Sequence, residues 1–175
     1  MKNLILITLL VLLLAPLQPA AAQASPSATQ AANRFYRTYL KLKILGLPNS
    51  EQMKTLVPLI TADLNDLLES ARKTQAKFIQ DHPDEKPPWA DGDLFTSLFE
   101  GAQSFRLGRP TANGDRVEVP VHLTYHQGGS TTRWSDVIVL VRDKNRWLVS
   151  DILLKGEWAF KSGDSLRKNL STNDQ

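Results

Sequence analysis

Asp136 and Asp151 each sit in a run that otherwise alternates apolar and polar residues, Trp134-x-Asp136-x-Ile138 and Trp147-x-Val149-x-Asp151. Such alternation makes a strand with one buried face. An aspartate in the apolar phase is therefore aimed at a core. A carboxylate there is costly unless it is paired, hydrated or protonated. A raised pKa would suit it to act as base, acid or polar anchor. The same residues can equally be satisfied core acids, bonded to an arginine, to Trp N–H or to backbone groups, with Arg106 an available cation. Tyr36, Tyr39, Tyr125, Trp134 and Trp147 supply aromatic walls for a pocket around the two acids. These seven residues are the candidate ligand-binding set.

Other chemistries find less support. The 175 residues include no cysteine, which excludes thiol nucleophiles, thiolate zinc sites, iron–sulfur clusters and disulfides. His122 and His126 are four residues apart on one strand, about 13 Å at ~3.3 Å per residue, too far to share a metal. Asp91-Gly92-Asp93 looks like a fragment of a calcium loop without its later ligands. Neither a Gly-x-Ser-x-Gly elbow nor a phosphate-cradling glycine loop is present. No metal, cofactor or catalytic residue is expected. The balance of 21 Lys+Arg against 18 Asp+Glu, a net +3, does not imply a nucleic-acid partner.

The elements that must position these residues fall in two blocks. Ala32, Phe35, Tyr36, Tyr39 and Leu40 form one helical stripe, stopped by Gly46 and Pro48. Asn49 with Gln52 is a capping arrangement for a short second helix, and Pro58 breaks it. Thr61 caps a third helix whose Leu64, Leu67, Leu68, Ala71, Phe78 and Ile79 share a face. Residues 81–93 read as a loop. After Gly101 the period becomes two, with strands over 117–125, 134–141 and 146–154 and a weaker one over 104–109.

Asn113-Gly114, Gly128-Gly129 and Lys144-Asn145 are the expected hairpin turns. Two-residue turns put Val121 opposite Asp136 and Asp136 opposite Leu153, with Ile138 opposite Asp151. Both acids then share the face that receives the helices. The first turn places Arg106 opposite Val121, one strand from Asp136, but sends Phe105 and Leu107 to the wrong face. Helices followed by a four-stranded antiparallel meander read as α+β, the N-terminal helices packed on a curved sheet.

Lys2 followed by an apolar run over 4–15, ended by Pro16 and Pro19, has the form of a signal peptide. Small residues allow cleavage after Ala22 or Ala24. The run is too short for a ~30 Å bilayer core, so stable membrane insertion after cleavage is not expected. The expected organisation is a signal peptide over 1–24 and a single domain over 25–175, periplasmic or secreted.

The order Phe35-Tyr36-x-x-Tyr39, Pro87-Pro88-Trp89, Asp91-Gly92-Asp93-Leu94-Phe95, Trp134-x-Asp136 and Trp147-x-Val149-x-Asp151-Ile152 resembles the bacterial domain of unknown function 3828 family. That family is a branch of the nuclear transport factor 2-like superfamily. The resemblance covers residues 31–160 and implies a cone-shaped fold with helices closing a curved sheet over a cavity. The superfamily holds isomerases, hydrolases and dehydratases beside non-catalytic binding and dimerisation modules, so fold alone assigns no reaction. The expected function is an exported, non-catalytic module that binds a small ligand or peptide in the cone. The alternatives are an inhibitor or immunity-type protein that docks an envelope partner, or a small isomerase or hydrolase using a buried aspartate. The partner reading predicts an open apolar patch of Val137, Val139, Val141, Leu148 and Ile152 on the outer face; a homodimer is compatible with either binding mode.

Overall fold

The computed structural model describes residues 27–158 and 165–171; the expected signal peptide lies outside them. Ser27 caps α1 (Ala28–Leu42) in a capping box with Gln30, which satisfies the first free N–H groups of the helix. Asn49 and Gln52 do the same for α2 (Ser50–Leu56), as their spacing predicts. One 3-10 turn over Val57–Leu59 carries Pro58, and Thr61 then caps α3 (Ala62–Asp81). Leu64, Leu68 and Ala71 of α3 are buried, but Ile79 is exposed. The expected apolar face of α3 therefore ends before its last turns. Among the described residues no helix is long and apolar enough to cross a membrane.

Five antiparallel strands form one sheet: β1 (Ser104–Leu107), β2 (Thr111–Asn113), β3 (Arg116–Gln127), β4 (Ser130–Asp143) and β5 (Arg146–Leu153). The order is β1-β3-β4-β5, with β2 also on β3 beyond the end of β1. A short helix, α4 (Leu166–Ser171), packs its Leu166 and Leu170 into the core. The helices lie on the sheet face that carries Val119, Val121, Leu123, Ile138, Leu140 and Val149. This is the expected α+β arrangement, with one short strand more than the sequence suggested.

Two of the three turns match the sequence reading. Gln127 faces Ser130 across Gly128-Gly129, and Asp143 faces Arg146 across Lys144-Asn145. The first does not. Asn113 pairs with Arg116, so the turn is Gly114-Asp115, and an extra residue in the 108–110 link between β1 and β2 then takes the register back by one. Phe105 and Leu107 consequently align with Leu123 and Val121 on the core side, and Arg106 aligns with His122 on the outer side. The conflict in the sequence reading disappears, and Arg106 is not placed to pair with Asp136. Pro120 is tolerated within β3 for the same reason. Its missing N–H falls opposite Gly108, where β1 gives way to β2.

A bulge in β5 makes the second correction. Leu140 faces Val149 as expected, but Val139, not Ile138, faces Asp151, leaving Ser150 as the extra residue. One inserted residue reverses every side chain beyond it. Ile152 thereby turns into the core, where it is fully buried, and Asp151 turns away from Asp136.

Candidate functional site

Asp136 has no exposed surface, and it is fully committed to the protein. Its Oδ2 accepts from the backbone N–H of Ser97 at 2.9 Å and the indole N–H of Trp134 at 3.0 Å. Its Oδ1 accepts from Lys155 N–H at 2.8 Å and from the Ser97 hydroxyl, whose oxygen in turn accepts from Gly156 N–H at 2.9 Å. One carboxylate thus joins β4, the 94–98 loop and the segment after β5. Four donors occupy its lone pairs, which is the geometry of a satisfied core acid rather than of an exchanging base.

Asp151 does different work. It is half-buried, and its Oδ1 accepts from Ile152 N–H at 2.8 Å and from Arg167 N–H at 3.0 Å. Arg167 also reaches the carbonyl of the bulge residue Ser150 at 3.3 Å and Asp63 at 2.8 Å. The bulge and its aspartate therefore dock α4 on the sheet edge. The two aspartates do not form a pair.

The aromatic residues do gather on the core side. Tyr36 and Tyr39 meet edge to face at 5.9 Å, Tyr36 lies 5.4 Å from Phe105, and Trp134 stands edge-on to Trp158 at 5.6 Å. Tyr36, Tyr39 and Trp134 are buried in the core; Tyr125 and Trp147 pack partly buried at its margin. Among the described residues the buried Tyr36 hydroxyl has no partner, and burial, reinforced by the charge of Asp136, raises its pKa well above the ordinary phenol value.

Sequence reasoning missed a second, half-buried acid. Asp93, read there as part of a calcium-loop fragment, accepts from the Tyr39 hydroxyl through Oδ2 and from Phe95 N–H at 2.7 Å through Oδ1. Ala102 N–H donates to the Tyr39 oxygen at 3.2 Å. Burial pushes the Asp93 carboxyl up to about 7, although the bonds from Tyr39 and Phe95 act in the opposite direction. Gly101, at φ +77°, leaves the room this pair needs, since a Cβ there would stand 2.7 Å from Asp93 Oδ2. The local signal was the spacing Asp93-x-Phe95, an aspartate bonding the N–H two residues on. Its tyrosine partner, 54 positions earlier, had none.

Two surface depressions adjoin each other along β1. One, about 510 Å³, runs between β1 and the α1 face that carries Thr29, Asn33, Arg37 and Leu40. The other, about 460 Å³, lies on the outer face of the sheet over β1, β3 and β4. Neither is lined by Asp136, Asp93 or Tyr39. The outer-face patch of the partner reading is not open as expected: Val139 and Leu148 are buried, Ile152 is in the core, and Val137 and Val141 are half-buried.

The free edge of β1 belongs to the first depression. Gly108 N–H bonds Pro120 O at 2.7 Å, and the register is continuous from there to Ser104. Antiparallel alternation then points the backbone groups of Arg106 at β3 and those of Phe105 and Leu107 away from it. Among the described residues those outward groups have no partner. No family model matches this sequence, and no curated protein or solved structure matches it either.

Proposed function

We propose that this chain is an exported, non-catalytic binding module with a nuclear transport factor 2-like fold, and that it binds a short extended peptide in the groove between α1 and β1. The observation that carries this reading is the row of outward N–H and C=O groups at Phe105 and Leu107. An added strand would pair with them, the common mode of peptide capture at a sheet edge. Thr29 to Leu40 spans about 17 Å along the helix at ~1.5 Å per residue, room for roughly five residues of extended chain at ~3.3 Å each. Arg37 and Arg106 line the groove without an acidic neighbour in its lining, which favours a peptide bearing carboxylates. The four donors on Asp136 support the non-catalytic part of the reading.

Leu107→Pro is the discriminating variant. It deletes an N–H that faces the groove and leaves the ladder to β3 intact, a position where a strand tolerates proline. On an array of random acidic octapeptides the wild-type chain should select a subset, and the variant, shown to be folded by circular dichroism although the loss of the Leu107 side chain from the core margin lowers its unfolding midpoint, should lose at least tenfold in affinity for it. Equal binding by both proteins, or no selection by the wild type, would refute the groove.

A further inference from the structure

The second depression carries a separate chemistry. On the outer face, Arg106 of β1, His122 of β3 and Ser135 of β4 lie in one cross-strand row. Ser104, Thr124 and Arg133 lie in the next row along. All six line the depression of about 460 Å³, and no carboxylate lines it. Arg106, His122, Arg133 and Ser135 are exposed, and neither arginine makes an ion pair among the described residues. Their strands are separated only by β3, so the two backbones stand roughly 10 Å apart across the strands. Side chains as long as arginine can converge over the middle strand from both sides. His122 Nδ1 is held by Ser135 Oγ at 2.8 Å, which fixes the plane of the ring between them.

We propose that this row-and-row arrangement is a binding site for a soluble phosphomonoester, its phosphate clamped between Arg106 and Arg133 above His122. Two guanidinium forks, an imidazole and three hydroxyls present donors from several directions, which suits a tetrahedral dianion. A planar carboxylate is satisfied by one fork alone. The site lies beside the peptide groove and shares Ser104, Phe105 and Arg106 with it, yet it does not require that groove to be filled.

The test is calorimetric titration of the full chain with phenyl phosphate and inorganic phosphate, with benzoate as the carboxylate control. Sedimentation with phosphatidic-acid vesicles tests the lipid source of the same headgroup. Phenyl phosphate should bind at least tenfold more tightly than benzoate, and inorganic phosphate should compete with it. Arg106→Gln and Arg133→Gln should each weaken it at least tenfold with the unfolding midpoint unchanged, and the ring ¹⁵N resonances of His122 should shift on addition. Arg133→Gln, which lies outside the groove, should leave peptide selection intact and so separates this site from the groove. Binding indifferent to the two arginines, equal binding of benzoate, or association with vesicles but not with phenyl phosphate would each overturn the proposal.

Discussion

Among the residues, the buried Asp136 and the half-buried Asp93 have opposite consequences for stability. Asp136 holds four donors that would otherwise be left without an acceptor in the interior. Asp136→Ala should cost about 3–5 kcal/mol, because unmatched buried polar groups are far more expensive than lost surface bonds; urea denaturation gives the value directly. Asp93 behaves in the other sense. Its carboxyl titrates near 7 in the folded chain and near 3.8 when unfolded. Between those values the folded chain keeps a proton that the unfolded chain has released, so this contribution is complete below about pH 4 and is lost as pH rises to about 7. The stability difference between wild type and Asp93→Asn should therefore shift against wild type by on the order of 2–4 kcal/mol between pH 4 and pH 8. Urea midpoints measured across that range would show it. Taking the difference removes Asp63, whose lowered pKa works the other way at the acid end.

Legibility changes with the element. The Asn49–Gln52 capping box, the Gly128-Gly129 turn and the Lys144-Asn145 turn were readable because each is decided within a few residues, whereas the Ser27–Gln30 box that starts α1 was not read. So was the direction of Asp136, which depends on a turn only a few residues before it. Asp151 lies beyond the Ser150 bulge, and nothing in the alternation of Trp147-x-Val149-x-Asp151 marks an inserted residue. The bulge becomes intelligible only with α4 in place, since Arg167 binds both the Ser150 carbonyl and, through its backbone, Asp151. Long-range partners decide such positions, and a single sequence does not carry them. The same applies to β1. Its register depends on an extra residue in the 108–110 link, and that residue decides whether Arg106 faces a core acid or the outer surface. The candidate site accordingly lies along β1 rather than around Asp136 and Asp151.

At the scale of the whole molecule, the proposed cleavage can be set against the start of the described fold. The first described bonds are those of the Ser27–Gln30 capping box, and Ala28 and Ala32 are already buried in the core one turn apart. A cut after Ala24 would leave three residues, Ser25, Pro26 and Ser27, ahead of α1, so the cap and everything it starts would survive processing. Without cysteine, the chain has no disulfide to hold it and depends on its packed core. The export part of the proposal thus predicts a mature chain starting at Ser25, or at Gln23 if cleavage follows Ala22. Mass spectrometry of protein recovered from the periplasm or medium of a secreting bacterial host should find one of those two termini. Recovery of the chain with residues 1–22 intact in the cytosol would remove export from the reading. The peptide groove and the phosphate site would remain to be judged on their own variants.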